Sequence, residues 1–244
     1  MRREYSRLAV LALVTAVLTV AVGCFNAPNG SGGGSSSNGP AFGNGNVTAD
    51  SQGGHSVNGT VRVADGQKTG DLSTVNGSIE VGDNVTLAGA QTVNGSISVG
   101  SHATADSLTT VNGSISLEDG ARVSHAVRAV NGSLTLHRGA DVGGSLVNIN
   151  GAINLNAAHV GGGITTVNGD ITVEGASHVE GGILVQKPSA GWFQISHEPR
   201  IVIGPGSVVT GDLRLAKRAT APLTPDVTVS ASGPCAAPSL IWAS

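Results

Sequence analysis

Seven histidines, sixteen carboxylates and two cysteines are the side chains of this 244-residue chain that could carry proton, metal or thiol chemistry. His102, His125 and His137 stand at different distances from their nearest Asn-Gly pair. His159, in Asn-Ala-Ala-His-Val-Gly, and His178, in Gly-Ala-Ser-His-Val-Glu, match one another and are expected to stack on neighbouring repeats. Two imidazoles without a Cys or carboxylate beside them make a poor metal site. Asp71, Glu118, Asp119, Asp141, Asp170 and Asp212 are scattered. They form no recurring pair for general acid–base work and read as solubilising outward residues. Gly161-Gly162-Gly163 lacks the strand, helix and lysine of a phosphate loop, and no serine stands in a nucleophile elbow. The chain therefore reads as no enzyme, with no catalytic residue, metal site or cofactor expected.

What recurs is Val-Asn-Gly, at Val57-Asn58-Gly59, Val75-Asn76-Gly77, Val93-Asn94-Gly95, Val111-Asn112-Gly113, Val130-Asn131-Gly132, Ile149-Asn150-Gly151 and Val167-Asn168-Gly169. The asparagines are 18, 18, 18, 19, 19 and 18 residues apart. A fixed period of one supersecondary unit is the mark of a solenoid, whose repeats bury apolar surface only by stacking. Apolar residues two apart, such as Ile79/Val81, Ile97/Val99, Ile115/Leu117 and Ile171/Val173, give strands with one buried face. Gly, Asn, Asp and Ser between them form turns, and no helical period survives so much glycine. Eighteen residues divide into three short strands and three corners. The fold expected is an all-β, three-sided parallel β-helix, with right-handed coiling favoured.

The Asn-Gly pair is expected at a corner, glycine supplying positive φ and Asn tolerating αL, with the valine before it turned inward. Stacked about 4.8 Å apart, Asn58, Asn76, Asn94, Asn112, Asn131, Asn150 and Asn168 are expected to form an amide ladder. Asn76-Gly-Ser78, Asn94-Gly-Ser96 and Asn112-Gly-Ser114 match glycosylation acceptors but are explained as turns. The two longer intervals call for one extra residue each, bulged at a corner. Residues 43–191 hold no Phe, Tyr, Trp, Met or Cys, so a core of Val, Ile, Leu and Ala alone is expected. The aromatic platforms of a sugar or nucleic-acid binder are missing from this stretch.

The first 23 residues read as an export signal: Arg2, Arg3 and Arg7, then an apolar run too short to span a membrane comfortably. Ala21-Val22-Gly23-Cys24 resembles the lipobox of bacterial lipoproteins. That resemblance implies lipidation of Cys24, with palmitate among the acyl groups, and a membrane partner through the anchor. Phe25 in place of Asp favours the outer membrane in a diderm organism. Residues 24–46 read as the lipidated cysteine and a flexible Gly/Ser/Asn tether of about 25 Å r.m.s. span. Without the signal's three arginines and Glu4 the chain keeps 10 basic and 15 acidic residues, a balance that argues against nucleic acid. Lipidation of Cys24 would leave Cys235 as a free thiol.

The β-helix is expected over residues 47–215, with a loop insertion at 186–200 and an irregular Ala/Pro/Ser-rich tail at 216–244. Trp192 and Phe193 in that loop are either a cap or a candidate contact. The hexads, as in Val81-Gly-Asp-Asn-Val85-Thr-Leu87, resemble those of left-handed β-helix acyltransferases. Export from the acyl-carrier supply and the three-residue Leu72/Val75 spacing argue against that family. Ala158-His-Val-Gly-Gly-Gly-Ile164, His178-Val-Glu-Gly-Gly-Ile183 and Gly206-Ser-Val-Val-Thr-Gly-Asp-Leu213 are similar to bactofilins, polymer-forming cytoskeletal proteins of bacteria. That resemblance, over about residues 56–215, implies a right-handed three-sided β-helix that assembles end to end without nucleotide; the coils near Ser56 are the expected open end, since the other end carries the loop and tail. The resulting expectation is a lipid-anchored structural or scaffolding protein of the cell envelope that self-associates, with no small-molecule substrate. The alternative is a monomeric surface-binding module using a flat wall or Trp192/Phe193, and the third reading is an acyltransferase-like protein.

Overall fold

Alternation of apolar and polar residues is kept on all three faces of each repeat, and it builds the molecule. The computed structural model describes residues 41–186, 199–216, 229–231 and 240–243; its strands pair parallel, coil on coil, as a three-sided β-helix. One coil serves for all. Ile115–Leu117 lies in the first wall, Arg122–Val123 in the second and Val127–Asn131 in the third. The first wall is a ten-stranded sheet. The second and third walls count as one 17-stranded sheet, because Thr86–Asn94 and Thr104–Asn112 run unbroken round the corner between them. Among the described residues there is no helix.

Register places like on like. Ile79, Ile97, Ile115, Leu134, Ile153, Ile171 and Ile201 pair successively along the first wall. These side chains are fully buried, each stabilising the fold by about 1.5–3 kcal/mol relative to exposure. The second wall is narrower inside, with Ala103, Ala121, Ala140 and Ala158 beside Val123, Val142 and Val160.

The interior is not purely aliphatic, and here the structure corrects the sequence reading. Along Asp71–Asn76, Leu72 and Thr74 are buried while Val75 is only half-buried. Leu72 and Val75 are three residues apart and so cannot share one face of a strand. The valine of each Val-Asn-Gly therefore faces out, and Ser56, Thr74, Thr92, Thr110, Asn148 and Thr166 face in. The hydroxyls of Thr74, Thr92 and Thr110 donate to the carbonyls of Gly59, Gly77 and Gly95 one coil below, at 3.2, 3.0 and 3.1 Å. A satisfied hydroxyl is tolerated in an apolar interior, and this column ties each coil's last corner to its neighbour.

Two kinds of corner need special residues, for different reasons. At the Asn-Gly corner the demand is space: a Cβ at Gly77, Gly95 or Gly113 would overlap the carbonyl of the glycine beneath it. None of the asparagines there has positive φ, whereas Gly59, Gly132 and Gly151 do, at 131–155°. The left-handed conformation belongs to the corner after the first wall, at Gly66, Asn84, His102, Gly120, Gly139 and Ala157 (φ between 52° and 73°). The added residue of the first 19-residue interval sits at the corner between the second and third walls. There Asp106-Ser107 gives way to Ser124-His125-Ala126, and the continuous strand divides into two.

Both ends extend past the expected limits. Ala41–Gly43 pairs with Gly53–Asn58 and Val47–Thr48 with Val61–Val63, so coiling begins inside the presumed tether and ahead of Ser56. This first coil has no second-wall strand; an antiparallel bridge between Asp50 and Gly53 takes its place. At the other end Val229–Ala231 pairs with Ile201–Ile203 and Leu240–Ala243 with Leu213–Ala216, where an irregular tail was expected. Opposite Gly/Ala exchanges should separate the two corners. Gly113→Ala should lower stability by at least about 2 kcal/mol through overpacking, whereas Ala157→Gly should raise it by up to about 1 kcal/mol by relieving αL strain. Urea unfolding followed by circular dichroism reads both.

Candidate functional site

Three columns of side chains run along the outer surface of the second and third walls. The first is the asparagine ladder. Asn76 Nδ2 donates to Asn58 Oδ1 at 2.9 Å, and Asn94, Asn112, Asn131, Asn150 and Asn168 each donate to the asparagine one coil below at 2.8–2.9 Å. The ladder has a further rung that the repeat pattern does not reveal: Asn58 Nδ2 donates to Asn44 Oδ1 at 2.8 Å. Asn44 stands 14 residues back because its coil lacks one wall, and its local signal is only the dipeptide Asn44-Gly45. The top rung, Asn168, has a buried Oδ1 with no partner among the described residues. Nδ2, the atom a glycan would occupy, is committed to the ladder at each of the matching acceptor sites.

The second column lies beside the first: Val57, Val75, Val93, Val111, Val130, Ile149 and Val167, partly open to solvent, with Val57 36% exposed. Beyond it on the same wall stand His55, Ser73, Gln91, Thr109, Arg128, Val147 and Thr165, also half-buried. These two columns carry one formal charge, Arg128, over seven coils, and Asp71 stands exposed at the start of one strand of the same wall.

The third column runs up the second wall through Lys68, Thr86, Thr104, Arg122, Asp141, His159, His178 and Val208. Here the structure supplies partners that sequence separation hid. The His159 and His178 rings stack 5.8 Å apart and nearly parallel. His159 Nδ1 lies 2.7 Å from Asp141 Oδ1, and its Nε2 lies 3.3 Å from Glu180 Oε1. Asp141 is thus no isolated solubilising residue. The same device recurs as His125 Nδ1 against Asp106 (2.6 Å) and Arg62 against Glu80 (2.7 Å).

The hydrogen bond to Asp141 raises the pKa of His159, with Glu180 adding to it against a desolvation penalty. His55 goes the other way: burial lowers its pKa, partly offset by Asp71. Both nitrogens of His159 are engaged by carboxylates, so the cluster holds a proton rather than offering a free base. Among the described residues no group of three or more His, Cys, Asp and Glu is placed to hold a metal ion. Of the other expected site residues, Cys24, Trp192 and Phe193 lie outside the described residues, as does Cys235.

The chain matches no protein-family model, no curated protein and no solved structure.

Two measurements follow from this surface. Asn112→Ala removes two ladder bonds and should cost about 1–2 kcal/mol, being solvent-exposed at the low end of the hydrogen-bond range. A folded-state pKa above the unfolded value of about 6.5 means that His159 contributes stability fully below that pH and loses it as pH rises through the folded pKa. His55, with its pKa lowered, contributes above about pH 6.5 and loses that contribution on acidification. His159→Gln should therefore destabilise at pH 5.5 and leave pH 8.5 unchanged, by well under about 1 kcal/mol because the pair is solvent-screened. His55→Gln should blunt the loss of stability on the acid side. Thermal unfolding of both variants across pH reads the opposite signs.

Proposed function

We propose that this chain is a non-enzymatic structural protein of the bacterial cell envelope, anchored through lipidated Cys24 and associating with further copies of itself. The observation that carries the reading is the outward valine column. Seven coils at about 4.8 Å spacing make a face about 30 Å tall, and a five-residue strand makes it about 17 Å wide. Pairing two such faces would bury about 500 Å² on each copy, about 1,000 Å² in all, the lower bound for a specific interface. A flat, nearly uncharged, β-branched surface packs against its own copy without like-charge repulsion. The resemblance to bactofilins supports self-association, there end to end, and the resemblance of the first 24 residues to a lipoprotein signal supports a membrane anchor. Lateral pairing through the third wall is the mode favoured over end-to-end growth through edge strands, although open edges also template association.

Electron microscopy and analytical ultracentrifugation of the purified chain test this. Paired or bundled rods are expected, and the triple substitution Val93→Asp, Val111→Asp, Val130→Asp should return them to monomers with unchanged circular dichroism. A wild-type chain that stays monomeric at high concentration sinks self-association and favours a monomeric binding module. Filaments that survive the triple substitution would transfer assembly to the strand edges. Palmitate incorporation should disappear in Cys24→Ser; label that persists refutes the anchor.

A further inference from the structure

Asn-Gly is the dipeptide most prone to spontaneous deamidation, because glycine offers no side chain to hinder attack by its own backbone nitrogen. This chain places eight such pairs in one column, from Asn44-Gly45 to Asn168-Gly169. The reaction needs a free Gly N–H to lose its proton and an asparagine amide that can swing towards it. Both are locked along most of the rod. The N–H groups of Gly59, Gly77, Gly95, Gly113 and Gly132 donate to the carbonyls of Asn76, Asn94, Asn112, Asn131 and Asn150 at 2.9–3.0 Å. Each asparagine from Asn58 to Asn150 also has Nδ2 donating downward and Oδ1 accepting from above. Gly169 N–H is held by Thr166 Oγ1 at 3.0 Å, and Asn168 Nδ2 donates to Asn150.

Of these eight pairs Asn44-Gly45 alone escapes both locks; the Gly151 N–H also has no hydrogen-bond partner among the described residues, but the Asn150 amide is held from both sides. Asn44 is exposed, its Oδ1 accepts one bond from Asn58, and neither its Nδ2 nor the Gly45 N–H has a hydrogen-bond partner among the described residues. We propose that Asn44-Gly45 is a self-modification site, and that the ladder protects the seven pairs above it from the same chemistry. The Gly45 nitrogen attacks Asn44 Cγ, the Cγ–Nδ2 bond breaks, and ammonia leaves carrying the displaced amide proton. Water from solvent then opens the succinimide at either carbonyl, giving aspartate or isoaspartate. Aspartate still accepts from Asn58 and adds one negative charge. Isoaspartate lengthens the backbone between the strands Ala41–Gly43 and Val47–Thr48 and releases the first coil, leaving a rod that begins at the strand Gly53–Asn58.

Ageing the full chain at mildly alkaline pH and mapping peptides by mass spectrometry with isoaspartate detection tests this. Among the eight pairs of the column Asn44 should convert first, with Asn76, Asn94 and Asn112 slower by roughly tenfold or more, since three hydrogen bonds must open at each. In denaturant all eight should convert at comparable rates. Asn94→Ala, which cuts the ladder without touching Asn44, should speed conversion at Asn76 and Asn112 and leave Asn44 unchanged. Folded chain in which Asn76, Asn94 or Asn112 converts as fast as Asn44 would overturn the proposal. So would an Asn94→Ala variant whose neighbours stay as slow as before.

Discussion

Everything in this rod depends on one constraint: each residue meets, about 4.8 Å above and below, the residue at the same position of the next coil. Parallel pairing makes that contact unavoidable, so every position must be compatible with copies of itself. Aliphatic side chains satisfy it by packing as columns of Ile, Leu and Val. Amides satisfy it because a donor and an acceptor sit on one group, which is why asparagine can repeat without interruption. Carboxylates repel their copies and need other donors: along the second wall Asp141 is placed between Arg122 and His159, and where Asp65 and Asp83 share one position of successive coils, Asp65 Oδ1 accepts from the Asp83 N–H at 2.9 Å. The like pair His159 and His178 is tolerated where Asp141 and Glu180 flank the first ring.

The same constraint explains why glycine is so frequent without being uniform in purpose. Where the chain turns from the third wall to the first, neighbouring backbones approach so closely that any Cβ would enter a carbonyl. Where it turns after the first wall there is room, but the backbone is left-handed, and Asn84, His102 and Ala157 occupy positions that Gly66, Gly120 and Gly139 fill with less strain. Space excludes side chains outright, whereas an αL residue costs about 1–2 kcal/mol and is survivable.

Period and alternation made the coil legible, down to its three faces and the ladder of asparagines. What they hid was direction and distance. Apolarity alone points Val75 inward, although Leu72 three residues earlier requires it to face out. Thr74 is polar and points outward by composition, and its bond to Gly59 lies across a coil boundary that composition does not display. The carboxylates beside His159 stand 18 and 21 residues away in sequence, so no local motif announced them. Asn44 and the strands Val229–Ala231 and Leu240–Ala243 fall where the period is broken by a missing wall or a long excursion. Periodicity cannot see an element that has lost its period.

The outward valines are the one recurrent feature that coil geometry leaves over. Asn-Gly is demanded by the corner, Leu and Thr by the interior, and the alternating small residues by width. A β-branched residue suits any strand, so propensity explains part of the preference. Yet the neighbouring outward column on the same wall, two residues earlier in each coil, accepts His, Ser, Gln, Thr, Arg and Val. It shares the strand, the pleat and the spacing of the valine column, but not its uniformity. Propensity acts on both columns alike, so a second requirement must act on one of them. Packing against an outside surface, as in the self-association proposed above, would be such a requirement, because contact makes shape and apolarity matter at a position the core does not use.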